Sequence, residues 1–218
     1  MNTDRKLKIL LFGATRHTGW YFMQQALDAG HEVTAIIRNP DAFAFKHANL
    51  KVVKGDALQL STFENEIAGK DAVVSSLGVN PSDFRQPTVI CSQGVKHMIA
   101  GMRKAGVKRI ICVSASALDT NPQMGLIISF AAKILQRVLK ASYTDLRAME
   151  AELKASNLDW TIVRPPQLKD NPGTGNYRVA VGEHLNKGWN INRADLAHYM
   201  LSALSVQNTF GKTVEIAY

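Results

Sequence analysis

Cysteine is scarce in this sequence, and no hydrophobic run is long. Two cysteines, Cys91 and Cys112, stand among 218 residues, too few for a disulfide framework. Cys112 lies inside an apolar run, so we expect it to be a small buried hydrophobe. The longest weakly charged apolar stretch, residues 125–132, ends at Lys133, far short of the roughly 20 residues that a membrane span needs. With no signal-peptide pattern either, we expect no membrane partner and a location in the reducing cytoplasm.

Several patterns that carry chemistry are absent as well. None of the six histidines forms an H-x-x-x-H or Cys/His set, so no metal site is expected. No G-x-S-x-G context for a serine hydrolase is present. The net charge is +8, but the basic residues are scattered and not interleaved with aromatic residues. This favours a positive field that attracts an anionic cofactor over a nucleic-acid partner.

Short runs rich in β-branched residues alternate with longer amphipathic segments. This alternation predicts an α/β protein with a doubly wound parallel sheet (Rossmann), in a single domain over residues 1–218. The predicted strands cover residues 7–12, 33–38, 51–54, 72–75, 109–113, 160–163 and 213–216. The predicted helices cover residues 19–29, 62–68, 88–104, 143–156 and 193–204. Asn192 and Asp195 are predicted to cap the last of these helices. The Pro- and Gly-rich residues 165–175 are predicted to form a long loop.

A glycine loop follows the first predicted strand and leads directly into a helix. Its residues are Gly13, Ala14, Thr15, Arg16, His17, Thr18 and Gly19. In this context the first glycine supplies a tight turn, the last permits close packing of helix on strand, and the amides at the helix start point at a pyrophosphate. We therefore predict that all seven residues bind a dinucleotide cofactor.

The end of the second predicted strand indicates which dinucleotide is bound. An NAD-preferring site places Asp or Glu there, to accept from the ribose 2′-hydroxyl, but this chain has Arg38. Arginine suits a phosphate, so Arg38 and Arg16 together predict NADP(H). Asp56 and Ala57 follow the third strand and are predicted to contact the cofactor. For Asp56, accepting from the adenine amino group and capping the next segment are equally weighted alternatives.

The segments GATRHTG, IIRNP, VVKGDALQ, DAVVSSLG, LKASNLDWTIVRPPQL and GTGNYRV…INRADLAHYML resemble the atypical short-chain dehydrogenases/reductases with an NAD(P)H-binding domain. Within these, the chain is most similar to the biliverdin-IXβ reductase/NADPH-flavin reductase group. The resemblance covers nearly the whole chain and implies hydride transfer from NADPH to a flat conjugated acceptor. It adds Leu77 and Gly78 to the cofactor site, places Ser114 beside the nicotinamide, and makes Pro165 and Pro166 border its pocket.

Two segments, residues 114–142 and 165–192, are predicted to form the acceptor pocket. Ser114 is the predicted catalytic residue, positioning or polarising the acceptor, although a serine after a strand is as often a helix cap. Ser116 and Gln167 are predicted to bind substrate. Gln167 stands where the reductase group commonly has a histidine, and an amide cannot donate a catalytic proton. The usual Tyr-x-x-x-Lys pair has only a near match in Tyr143 and Arg147.

These features predict an NADPH-dependent reductase that acts on a small-molecule acceptor such as a flavin, a quinone or a tetrapyrrole, as a monomer or homodimer. Its chemistry would depend on alignment, with the proton taken from water. The main alternative is a non-catalytic NADP(H)-sensing regulator that engages a partner through an apolar helix over residues 125–140. A sugar-nucleotide epimerase is weaker, because it normally needs the Tyr/Lys pair and a larger C-terminal substrate region.

Overall fold

A computed structural model describes residues 5–15, 17–78, 86–119 and 136–218. The predictions for Arg16 and for most of the apolar helix over residues 125–140 lie outside these residues. The strands are β1 (Lys8–Phe12), β2 (Glu32–Ile37), β3 (Leu50–Lys54), β4 (Ala72–Ser75), β5 (Arg109–Val113), β6 (Asp159–Arg164), β7 (Gln167–Lys169), β8 (Arg178–Val181), β9 (Asn190–Asn192) and β10 (Lys212–Ala217). The helices are α1 (His17–Asp28), α2 (Ile90–Ala105), α3 (Lys140–Ala155) and α4 (Arg193–Ala203).

Eight of the strands form one sheet in the order β3-β2-β1-β4-β5-β6-β10-β8, in which β8 is antiparallel to β10 and the other pairs are parallel. The order runs outward from β1 in both directions, which is the doubly wound arrangement. The predicted fold class is confirmed. None of the helices described is long and apolar enough to cross a membrane.

Each face of the sheet is covered by a pair of helices. On one face, α1 and α4 contribute Phe22 and Met200 to a buried cluster. On the other, α2 and α3 contribute Met98 and Leu153. The strands between them are buried on both faces, which explains their near-continuous apolar sequence. Cys112 of β5 is fully buried, as predicted.

The predicted helix over residues 62–68 is wrong. The chain forms two short 3₁₀ turns there, Leu60–Thr62 and Glu64–Glu66. Phe63 and Ile67 are buried at helical spacing, which explains the prediction. The hydroxyl of Thr62, however, bonds the backbone of Gln59 and Asp56, and such side-chain bonds compete with a continuous helix.

Residues 165–192 contain structure that the sequence did not predict. β7 lies inside the predicted loop over residues 165–175 and pairs in parallel with β9, forming a second small sheet. The predicted capping pair is also wrong. Asn192 forms no side-chain capping bond; its amide nitrogen instead donates to the carbonyl of Pro172. Asp195 accepts hydrogen bonds from the N–H groups of Thr174 and Gly175, so it ties the loop to α4.

Candidate functional site

A cavity of about 730 Å³ opens at the carboxyl ends of the central strands. This is where open α/β sheets bind ligands, and the volume lies in the usual range for ligand sites. Many of the residues predicted from the sequence line it: Gly13, Ala14, Thr15, His17, Thr18, Arg38, Asp56, Ala57, Leu77, Gly78 and Ser114. The structure therefore brings residues from five strand ends into one site.

The glycine loop brings α1 close to the end of β1. Gly13 has φ +88°, and a Cβ atom there would lie 2.7 Å from the carbonyl oxygen of Ser76. A Cβ atom on Gly19 would lie 2.1 Å from the oxygen of Gly13. Gly19 thus packs beneath the cavity rather than lining it. Since α1 begins at His17, its N-terminal N–H groups and the positive end of its dipole lie at the cavity wall, where a phosphate group is favoured.

Gly78 leaves room in another part of the cavity wall. It lines the cavity just after β4, and a Cβ atom built on it would meet no described residue within 4 Å. As far as the described residues go, the space beside its backbone is therefore open. Together with the glycine loop, this gives the cavity a backbone-lined cradle of the kind that a dinucleotide needs.

The cavity continues past Arg38 into a second cavity of about 410 Å³. Its lining consists of Arg38, Lys54, Gly55, Asp56, Gln59 and Thr62. Lys54 lies beside Ile37 in the parallel register of β2 and β3, so the two cations stand at adjacent strand ends. No residue in the described part of the chain forms an ion pair with Arg38 or Lys54. Sequence reasoning missed Lys54, although its place just before Gly55 at a strand end was a usable signal.

Asp56 caps its own turn. Its Oδ1 atom accepts from the N–H of Leu58 at 2.9 Å, which is the capping interpretation weighed from the sequence. Its second carboxylate oxygen accepts no hydrogen bond from the described residues, so it is available to a ligand. The two interpretations of Asp56 are therefore compatible.

Ser114 stands at the other end of the large cavity, just after β5. The apolar side chains of Ile90, Val113, Leu146 and Leu168 line the cavity with it. The hydroxyl of Ser114 does not cap a helix. It donates to Oε1 of Glu150 on α3, at a distance of 2.7 Å.

Glu150 belongs to a charge cluster that the sequence did not predict, in which Glu150 and Arg164 are buried and Asp119 and Lys154 lie at the surface. Arg164 donates to it from Nε at 2.8 Å and from Nη2 at 2.6 Å, and Asp119 and Lys154 complete the cluster. Burial alone raises the pKa of Glu150, but the hydrogen bonds from Arg164 and Ser114 outweigh it and bring that pKa below its usual value. The carboxylate beside Ser114 is therefore ionised at neutral pH.

Some predicted residues lie outside the cavity wall. Pro165, Pro166, Ser116 and Gln167 do not line it. Ser116 lies in a 3₁₀ turn and its N–H donates to the carbonyl of Pro165. Gln167 is exposed, because its backbone is held against Trp189 in the pairing of β7 with β9.

The tyrosine pair does not line the cavity either, although Leu146, between its two members, does. Tyr143 is buried but does not line it. Arg147 donates to the carbonyl of Leu118. Among the residues that the structure describes, no group of three or more His, Cys, Asp or Glu side chains could hold a metal ion.

Arg193 is a further lining residue that sequence reasoning missed. It is the first residue of α4 and forms an ion pair with the exposed Asp170 at 2.7 Å. Its place in the cavity wall adds a second arginine to the site. Of the predicted acceptor segments, residues 114–142 and 165–192, Ser114 and Leu168 reach the cavity, while residues 120–135 lie outside the described part of the chain.

Comparison with known proteins places the chain in a family. The sequence model of the NAD(P)H-binding family matches residues 13–207. An uncharacterized chloroplastic protein of Arabidopsis thaliana is 31% identical over 99% of this chain and 78% of its own length. A Bacillus subtilis protein described as an uncharacterized sugar epimerase is 27% identical over 96% of this chain and 94% of its own length.

A solved structure shares the fold at low sequence identity. A short-chain dehydrogenase/reductase from Veillonella parvula, in complex with NADP, superposes with a TM-score of 0.82 at 13% identity, covering 98% of this chain and 95% of its own. The family match spans the glycine loop, the β2 end and the region after β5. The chain therefore belongs to the NAD(P)H-binding family, and NAD(P)H is its cofactor.

Proposed function

We propose that this protein is an NADPH-dependent reductase that transfers hydride to a conjugated acceptor such as a flavin, a quinone or a tetrapyrrole. The observation that carries the proposal is the two-ended cavity. One end of the cavity is lined by Arg38, after β2, and the other by Ser114 and its apolar neighbours, after β5. Such a site can hold an anionic dinucleotide and a flat apolar ring together.

The preference for NADPH over NADH rests on Arg38 and Lys54. Both line the second cavity next to Asp56, at the edge of the sheet where the adenosine ribose is expected. A 2′-phosphate would neutralise these two cations, which have no carboxylate partner among the described residues. The free hydroxyl of NADH would not. The sequence puts no carboxylate directly after β2, where one would accept from that hydroxyl.

The acceptor end suits a planar ring. Ile90, Val113, Leu146 and Leu168 supply apolar surface there, and Ser114 supplies a polar contact that can fix orientation. NADPH supplies a hydride, so that NADPH, an oxidised acceptor and one proton become NADP⁺ and the two-electron-reduced acceptor. The chain's own contribution is to bind both partners and exclude water between them.

The proton is assigned to solvent. Tyr143 does not line the cavity and Arg147 is held by Leu118, so the pair is not placed as an acid. Glu150 is ionised and has no proton to give. The same placement argues against a sugar epimerase, the description carried by the Bacillus subtilis relative, because that chemistry normally uses a tyrosine base in the site.

The test is NADPH oxidation followed by absorbance with a panel of FMN, FAD, riboflavin, quinones and biliverdin, with nucleotide sugars assayed separately for epimerisation. We expect turnover with at least one conjugated acceptor, faster with NADPH than with NADH. Tight NADPH binding without turnover of any acceptor would instead support the cofactor-sensing regulator. Epimerised sugar product would support the epimerase.

A further inference from the structure

We propose that Ser114 acts as a hydrogen-bond acceptor toward the substrate and that Glu150 holds it in that role. The site would then select conjugated acceptors that carry an N–H group on the ring edge, as flavins and linear tetrapyrroles do, over quinones, which present only carbonyl oxygens. This inference rests on the proposed reductase function and narrows its substrate class.

The direction of one hydrogen bond carries the argument. Oγ of Ser114 lies 2.7 Å from Oε1 of Glu150. An ionised carboxylate has no proton to donate, and a serine hydroxyl has a single one. Ser114 must therefore give its proton to Glu150. What remains for the cavity is the pair of oxygen lone pairs, which accept but cannot donate.

The hydroxyl of Ser114 cannot easily turn away from Glu150. Its carboxylate is 4% exposed and accepts two hydrogen bonds from Arg164 and a third from Lys154 at 3.1 Å. Arg164 is itself anchored by Asp119 at 2.6 Å. Rotating the hydroxyl toward the cavity would cost Glu150 one of the charge-assisted bonds to its buried carboxylate. Glu150 is thus a positioning residue that acts through Ser114.

The apolar surroundings of Ser114 make its role as a hydrogen-bond acceptor important for ligand choice. The neighbouring cavity wall is apolar, built by Ile90, Val113 and Leu146. A ligand N–H facing Ser114 gains a hydrogen bond in a place shielded from water. A ligand carbonyl there would face oxygen lone pairs and lose its hydration without compensation.

The first experiment uses the native protein and matched acceptors. Riboflavin and 3-methylriboflavin differ only in whether the N3 atom of the ring carries hydrogen or methyl. Menadione is the quinone probe. We expect kcat/KM with NADPH to be about tenfold higher for riboflavin than for 3-methylriboflavin, the value of one hydrogen bond in a dry site. Equal values for the two flavins would overturn the inference.

Variants then assign the effect to the two residues. Ser114→Ala should reduce the riboflavin to 3-methylriboflavin ratio to within about twofold and shift preference toward menadione. Glu150→Gln frees the hydroxyl to turn, so it should shift the same ratios in the same direction. Ser202→Ala is the control, because its hydroxyl donates to Tyr199 within α4. If Glu150→Gln does not fold, the ratio of riboflavin to 3-methylriboflavin in the native protein and in Ser114→Ala still tests the inference.

A binding measurement separates this inference from the proposed function. Quenching of flavin fluorescence gives the Kd of both flavins for the NADP⁺-loaded protein without any turnover. If no acceptor oxidises NADPH, the proposed function fails. Tighter binding of riboflavin than of its methyl derivative, lost in Ser114→Ala, would still support the inference. An equal loss for all acceptors in Ser114→Ala, together with weaker NADPH binding, would mean that Ser114 contacts the cofactor, and would overturn it.

Discussion

Nη2 of Arg164 lies 2.6 Å from Oε2 of Glu150, and the two side chains are only 7% and 4% exposed. They join the end of β6 to the middle of α3, directly behind Ser114. Burial works to raise the pKa of Glu150, but hydrogen bonds from Arg164 and Ser114 bring it below its usual value of 4.5. The folded protein therefore binds this proton less readily than the unfolded chain does.

This ion pair predicts a pH-dependent stability difference. Glu150→Gln leaves Arg164 buried without its main partner, so we expect a loss of about 3–5 kcal/mol near neutral pH. The contribution of Glu150 is fully present above its unfolded pKa and is lost as pH falls through the lower folded pKa. Urea unfolding across a pH series measures this. The gap between native protein and variant should shrink as the pH falls below about 4.5.

The half-exposed Glu152, two residues further along α3, offers a matched control. Glu152→Gln should change the free energy of unfolding by less than about 0.5 kcal/mol, as surface substitutions usually do. A gap for Glu150→Gln that stayed constant from neutral to acid pH would contradict the assignment of an ionised Glu150.

Cofactor preference should follow from Arg38 and Lys54. Because both side chains are exposed, we expect Arg38→Ala and Lys54→Ala each to weaken NADPH binding by about tenfold, toward the low end for charged hydrogen bonds. NADH binding should change little, since it lacks the 2′-phosphate. Calorimetric titration of both cofactors measures the difference.

Lys108→Ala is a charge-matched control at the opposite end of the sheet, just before β5. It should leave both affinities within about twofold, because a distant exposed charge is screened by salt. A native protein that bound NADH as tightly as NADPH would refute the role given to the two cations.

Gly78 offers a way to block the cavity without disturbing the fold. A Cβ atom there meets no atom of the described residues within 4 Å, so Gly78→Val should keep its thermal midpoint within a few degrees while losing at least about tenfold in NADPH affinity. Gly13→Val is the contrasting variant, in which the fold is expected to suffer as well as the binding of NADPH. Its side chain would collide with the backbone of Ser76 at a positive φ, so both stability and binding should fall. Full affinity in folded Gly78→Val would show that the cofactor lies elsewhere.

Local patterns were enough to predict the central strands and the glycine loop. The predicted bounds 72–75 and 109–113 coincide with β4 and β5, because a strand buried on both faces leaves an unbroken apolar run in the sequence. Gly13 and Gly19 were predictable for a similar reason. Their spacing serves a single local connection between β1 and α1.

Contacts between distant segments were not predictable in the same way. Ser114 and Glu150 are 36 residues apart, and Arg164 stands a further 14 residues along, so no local spacing pairs them. Lys54 joins Arg38 only through the register of β2 and β3. Gln167 was predicted to bind substrate from its place in a motif, but the pairing of β7 with β9, set by a strand more than 20 residues away, holds it outside the cavity wall.

Placement, rather than a protein acid, should set the rate of the reaction. Tyr143 on α3 is buried and does not line the cavity, and burial raises its pKa despite the opposing charge of Arg147. A tyrosine with a raised pKa is a poor base, and one outside the cavity is a poor acid. Tyr143→Phe should therefore lower kcat by less than about tenfold. Gln167→Ala should behave likewise, because that amide is exposed and carries no transferable proton.

Saturating steady-state rates with the best acceptor of the panel, together with the NADPH Kd of each variant, measure this. Tyr21→Phe, on α1, controls for the loss of a phenol hydroxyl. Loss of a true general acid costs about 10²–10⁴, so a thousandfold drop in Tyr143→Phe with NADPH affinity intact would replace this account with a Tyr/Arg version of the usual dehydrogenase mechanism.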